Sequence, residues 1–296
     1  MQKETTTVPP TSHYDFSIFK RAITGFGLAI IVPLLFIVTW NMIAQNLENP
    51  VILPEVGAVV NLLLHPTESL ISMGSLLQNI FVSITRVLAG YLLAVIIAIP
   101  LGVLMGYYSL VYKLLNNFLG MFRPIPPLAW VPLVLAWFGV SSMATVTGVE
   151  SGTLYVYLNN LKLSMIFIIF IGSFYPVLTS TIYGVRSVKK TLIDSARVLG
   201  ASEYDIFRKI LLPAAAPSIV NGMRIGLGVA WMCLVSAEML PGSLSGIGYL
   251  ITHAYTIART DIVIAGMICI GVVGTLLDLG FGYLENKKFA WQRLAR

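Results

Sequence analysis

The chain has 296 residues, 57% of them hydrophobic and 11% charged, against roughly a quarter charged in an ordinary soluble domain. A soluble core has no room for that much apolar surface, so most of the chain is solvated by lipid and the quantity to count is membrane spans. The formal net charge of +6 is scattered over short segments between apolar runs, without the dense basic stripe of a nucleic-acid surface, and this excludes nucleic acid as a partner.

Met1 to Tyr14 is rich in Thr and Pro and has no apolar run. Residues 1–21 therefore read as a tail, not a cleaved signal peptide, with the first apolar run retained as a span. Six spanning helices of roughly 20 residues or more follow, making an all-α polytopic fold over residues 22–284. The first is Ala22 to Ile43. The second, Leu76 to Tyr107, is longer than one crossing needs, so its part up to Arg86 is expected along the interface. The third, Leu114 to Val140, is interrupted by Pro124, Pro126 and Pro127; the fourth is Leu161 to Tyr183, the fifth Ala214 to Leu240 and the sixth Ile262 to Leu284.

Fourteen of the 19 Lys and Arg residues fall on one side of this arrangement. They are Lys3, Lys20 and Arg21 before the first span, Lys113 after the second, six between Arg186 and Lys209, and Lys287, Lys288, Arg293 and Arg296 at the end. Positive segments are retained in the cytoplasm, so both termini, including the tail 285–296, are expected there. No internal repeat relates the two halves. Cys233 and Cys269 both lie inside apolar runs, as small packing residues without metal or disulfide spacing, and no cofactor is expected.

Charges inside or near apolar runs each cost a few kcal/mol unless paired or hydrated. Arg224 reads either as an attractor for an anion or as half of an interior salt bridge. Its distance along the helix to Glu238 is roughly 21 Å, so any ion-pair partner must come from another span. Glu238 reads either as an external gate contact or as a solvated interfacial carboxylate. Arg86 is expected to snorkel, and Asp278 to make a polar contact within the bundle. The prolines after Arg123 mark either a break lining a cavity or a bend near the cytoplasmic surface. Arg123, Pro126, Arg224, Trp231 and Glu238 are the candidates for a translocation pathway. Gly222, Gly226 and Gly228 offer close helix packing, within the chain or across a dimer.

The segment joining the fourth and fifth spans, residues 187–213, is long for a simple connection. Its pattern fits a helix from Thr191 to Leu199 ended by Gly200. A second helix from Glu203 to Leu212 is capped by Ser202, with Asp205 giving a near match to a capping box, and is stopped before Pro213. Asp194-Ser195-Ala196, three residues, Gly200, nine residues and Ile210-Leu211-Leu212-Pro213 resemble the cytoplasmic loop signature of permease subunits in binding-protein-dependent ABC importers. That signature reads Glu-Ala-Ala, three residues, Gly, nine residues, Ile-x-Leu-Pro; Asp194 and Ser195 are the two departures. The resemblance implies that Asp194, Ser195, Ala196, Arg197, Gly200, Ala201 and Pro213 belong to a loop that docks on a separate ATPase subunit.

Arg123-Pro124-Ile125-Pro126-Pro127-Leu128-Ala129-Trp130 with Trp137-Phe138-Gly139 is similar to the third span of permeases for nitrate, sulfonate, taurine and bicarbonate. So are Gly222 to Trp231, Ala237-Glu238 and Gly246-Ile247-Gly248-Tyr249 to a later stretch of the same group. The segment Ser141 to Asn160 departs from it, being longer than the expected turn. The resemblance implies a small anion as cargo, delivered by a soluble binding protein to a homodimer of permease chains in the inner membrane. No Gly-x-x-x-x-Gly-Lys-Ser/Thr loop is present, so ATP hydrolysis is expected on another subunit. An intramembrane enzyme would need a motif such as His-Glu-x-x-His or Gly-x-Ser-x-Gly, which the chain lacks, and His13, His65 and His253 fall in tail or external segments. A secondary carrier or channel for a small anion is the alternative, and it leaves the long loop unexplained.

Overall fold

A computed structural model describes residues 14–70, 73–240 and 242–288. Among them no strand forms, and two isolated bridges, Ser69 with Ser75 and Ser142 with Lys162, are the only extended pairings. The helices are α1 (Tyr14–Leu47), α2 (Val56–Leu64), α3 (Leu76–Tyr107), α4 (Ser109–Phe122), α5 (Val131–Phe138), α6 (Met143–Thr147), α7 (Thr153–Asn160) and α8 (Leu163–Arg186). They continue with α9 (Lys190–Val198), α10 (Glu203–Asp205), α11 (Leu212–Glu238), α12 (Ile247–Thr256) and α13 (Thr260–Lys288). Five helical segments are long and apolar enough to cross a membrane, and six if the bent pair around the proline cluster is one span.

Three long helices, α3, α8 and α11, form the centre, with α8 packed between the other two. Lipid tails are as apolar as leucine, so burial of apolar side chains does not by itself drive helices together in a bilayer; close contact does. Small residues provide that contact on both faces of α8. A methyl group on Gly102 or Gly106 of α3 would stand 2.7 Å from Thr181 Cβ or 2.6 Å from Val185 Cβ. On the other face, one on Gly222 or Gly226 of α11 would stand 2.3 Å from Ser180 Cβ or 2.7 Å from Val177 Cγ2. Gly222 and Gly226 thus serve packing within the chain, whereas Gly228 faces open space. Cys233 and Cys269 are buried free thiols, Cys233 against Gly172.

Several boundaries differ from those expected. Helix α1 begins at Tyr14, ahead of Ala22, and of its span Ile30–Leu47 only 6% is buried. The rest of the expected tail, like residues 289–296, lies outside the described residues. The start of α3 does not lie along an interface: Leu76, Asn79, Ser83 and Arg86 are all buried in the bundle. The third span is not one rod. Its halves, Ser109–Phe122 and Pro127–Phe138, meet at 82°, because Pro124, Pro126 and Pro127 remove three of four successive backbone N–H donors. The long segment after it is organised as α6 and α7, its ends tied by the Ser142–Lys162 bridge.

Pro213 does not stop the second loop helix, contrary to the expectation. The helix runs on through α10, a π turn at Ile206–Leu211 and α11. The N–H of Leu212 reaches back to the carbonyl of Phe207, five residues away, and this wider turn makes room for the proline ring just after it.

Candidate functional site

Two polar regions stand out against the apolar bundle, one at each end of α11. At its N-terminal end, α9 and α10 form a hairpin beside the end of α3. Gly200 adopts φ +81°, and Ala201 and Gly200 donate to the carbonyls of Ala196 and Arg197, each at 3.0 Å, closing α9 with a left-handed cap. Ser202 caps α10 by accepting from the Asp205 amide at 3.2 Å; the Asp205 carboxylate lies 2.6 Å from the Ser202 hydroxyl instead of reaching the capping backbone.

Arg197 holds the corner: its Nε lies 2.9 Å from Glu203 Oε1, its Nη1 3.7 Å from Asp194, and Glu203 also accepts from the Tyr107 hydroxyl. Hydrogen bonds from Arg197 and then Tyr107 hold the Glu203 carboxyl below the usual carboxylate range, and Lys209 and Ser202 do the same for Asp205. Ser195 donates to the Thr191 carbonyl at 2.8 Å, leaving its small side chain against its own helix. Beneath the hairpin, Ile193, Phe207 and Leu212 pack on Val103, Val185, Leu211 and Ala215. Beside it opens a cleft of about 890 Å³ lined by Tyr107, Asp194, Arg197 and Glu203. Val198 and Leu199, at the tip, are 88% and 86% exposed. Two aliphatic side chains held in water by a braced helix end suit a protein groove. Pro213 lies outside this hairpin, in the first turn of α11.

At the other end of α11, the carboxylate of Glu238 is 1% exposed and pairs with Arg86, also 1% exposed, at 2.8 Å. A buried charge survives only when every donor and acceptor finds a partner. Arg86 donates to Glu238 Oε1, to the carbonyl and hydroxyl of Ser245 (2.6 and 2.9 Å) and to the Asn160 carbonyl (2.7 Å). Glu238 receives the Ser83 hydroxyl and the Gly248 amide, at 2.8 and 3.0 Å. Ser83 accepts from the Ile247 amide, and Asn79 from the Gly246 amide. The knot therefore joins α3, the end of α7, the end of α11 and the start of α12.

Gly246 and Gly248 are needed here. Gly246 sits at φ +105°, where a methyl would stand 2.2 Å from the Glu238 carboxylate, and one on Gly248 would stand 2.3 Å from the Val235 carbonyl. The burial of Glu238 overturns its reading as a solvated interfacial carboxylate, and Arg86 does not snorkel. Sequence reasoning missed Asn79 and Ser83, although polar residues at 79, 83 and 86 share one face of an otherwise apolar helix.

The remaining pathway candidates are dispersed. Arg224 makes a bidentate pair with Asp278 of α13, both bonds 2.6 Å, and lies 3.6 Å from Glu285. That partner from another span leaves the guanidinium neutralised in this conformation. Trp231 is 4% exposed, donates to the Ile270 carbonyl at 3.1 Å and packs in the core, so it does not line an open face. Pro126 is exposed and precedes a 3-10 turn, Pro127–Trp130. Arg123 ends α4 and lines a cavity of about 400 Å³ between the proline turn, α8 and α11.

Residues 98–289 match the family model described as binding-protein-dependent transport system inner membrane component. An ABC transporter permease protein of Methanocaldococcus jannaschii is 49% identical over 269 residues, covering 91% of this chain and 93% of the relative. The taurine transport system permease protein of Escherichia coli K12 is 33% identical, covering 87% of this chain and 86% of its own length. The nitrate import permease protein of Leptolyngbya laminosa is 36% identical over 72% of this chain and 68% of its own. Among solved structures, a chain of a bacterial alginate ABC transporter in complex with its pentasaccharide-bound periplasmic protein superposes with a TM-score of 0.55 at 18% identity. That match covers 93% of this chain and 98% of the other, and it shows a shared fold. The chain belongs to the binding-protein-dependent inner membrane components, as a multi-pass permease subunit of an ABC importer and not an enzyme.

Proposed function

We propose that this permease passes a small anion of the nitrate, sulfonate or bicarbonate type, delivered from outside by a soluble binding protein. Two copies of the chain surround the path, and ATP is hydrolysed on separate subunits that grip the loop at 187–213. Both termini and that loop face the cytoplasm, in line with the placement of fourteen basic residues on one side.

The observation that carries the reading is the braced tip of α9. Val198 and Leu199 project beyond a corner fixed by Arg197 and Glu203, and the helix that leaves this corner at Glu203 runs through the π turn into α11. A push on this tip is thus delivered to a spanning helix, which is the linkage alternating access requires. The anion class is supported by the relatives that carry taurine and nitrate in their names.

The test is to solubilise the tagged protein gently from its native membrane and identify co-purifying chains by mass spectrometry. The expected result is a stoichiometric subunit bearing a phosphate-binding loop, together with a binding protein. A partnerless oligomer that still conducts a small anion would replace this reading with a carrier or channel.

A further inference from the structure

The cavity beside the proline turn, we infer, is a station for an oxoanion in transit, held by Arg123 with the hydroxyls of Tyr175 and Ser180. The inference rests on the anion-importer reading above and adds to it a place and a set of donors.

Depth comes first. The cavity of about 400 Å³ is walled by Tyr175, Thr179 and Ser180 from the middle of α8 and by Ile225 and Val229 from the middle of α11. Arg123 reaches this wall from the end of α4. At such depth a charge costs a few kcal/mol unless it is countered or hydrated. Two arginines deep in the bundle are countered within the chain, Arg86 by Glu238 and Arg224 by Asp278 and Glu285, whereas Arg186 and Arg208, at the loop ends of their helices, are not. Arg123 differs from the first two: among the described residues no carboxylate lies within 4.0 Å of it. That leaves its charge to water or to an ion from outside the described residues.

The backbone gives an independent argument. The segment from Arg123 to Pro126 is non-helical and bends the span by 82°. Irregular backbone at membrane depth is tolerated only where protein buries it or water fills a cavity beside it. The break at Arg123 is therefore not turned to lipid, and the cavity of about 400 Å³ opens beside it.

The donors define the ligand. A guanidinium binds two oxygens of one group at once, which favours planar or tetrahedral oxoanions over a bare halide. Thr179 already donates its hydroxyl to the Tyr175 carbonyl at 2.8 Å, which leaves Tyr175 and Ser180 as the neutral donors. One cation with two hydroxyls makes a shallow well, as a transit site must if the ion is to leave again.

The experiment uses the complete transporter, permease with its ATPase subunits and binding protein, in proteoliposomes, with labelled nitrate, bicarbonate and taurine as probes. If the wild type accumulates none of them, the anion reading itself fails. If it accumulates one, Arg123→Gln should lower the maximal rate by about tenfold, the loss of one charge-assisted contact. Arg123→Lys should recover part of that rate, and the ratio of rates between two probes should change. Tyr175→Phe and Ser180→Ala should each give smaller losses. Size-exclusion profile and co-purification with the ATPase subunits check folding. Wild-type rates in Arg123→Gln overturn the proposal; should that variant not assemble, unchanged rates and probe ratios in Arg123→Lys and Tyr175→Phe overturn it instead.

Discussion

Arg86 and Glu238, 152 residues apart in the chain, meet at 2.8 Å in a pocket closed to solvent. Removing one partner of such a pair leaves an uncompensated buried charge, which typically costs about 3–5 kcal/mol. Arg86→Ala and Glu238→Ala should therefore each lower the unfolding temperature of the purified complex sharply. The double variant Arg86→Met with Glu238→Leu should be less damaged than either, and if it is the worst of the three, the pair is not the source of the effect.

Gly248→Ala introduces a methyl 2.3 Å from a backbone carbonyl, whereas Gly228→Ala introduces one into open space. Gly248→Ala should reduce the yield of folded protein, and Gly228→Ala should leave it at the wild-type level. Side-by-side fluorescence size-exclusion of the two variants measures this.

Gly200 has φ +81° with open space around its Cα. A bulky residue there meets backbone strain of about 1 kcal/mol and obstructs the docking corner, without touching the spanning core. Gly200→Leu should keep the protein folded but separate ATP hydrolysis from uptake; uptake at the wild-type rate per ATP would count against the docking role. Asn, which tolerates the left-handed region, should be milder than Leu at this position.

Arg224 and Asp278 tie α11 to α13 through two parallel bonds. Asp278→Asn and Arg224→Gln should each weaken the fold, and the exchange Arg224→Asp with Asp278→Arg should restore part of the loss. A double-mutant cycle on thermal unfolding reads the coupling directly; additive losses would mean that the pair does not act as a unit.

The spans, the helix of the loop and the cap at Gly200 were legible in the sequence because each rests on local chemistry: a run of apolar residues, a glycine after the last turn, a serine before the first. Pro213 misled because proline normally ends a helix, and the π turn that accommodates it depends on backbone bonds no residue pattern announces. Arg86 misled for another reason. Whether an arginine snorkels or is buried depends on what faces it, and its partners Glu238, Ser245 and Asn160 come from three distant segments. The stripe Asn79, Ser83, Arg86 was visible, but its counterpart at Gly246 to Gly248 gives no periodic signal.

The π turn at Ile206–Leu211 also sets a phase. It takes up one residue more than an α-turn would, so the faces of α11 beyond it are rotated by about 100° from where an uninterrupted α-helix would place them. The side of the spanning helix that carries Asn221, Ile225 and Met232 is thus aimed by a bond between Leu212 and Phe207 next to the loop. Returning the π turn to ordinary α-register would swing the whole stripe like a key turned from its bow.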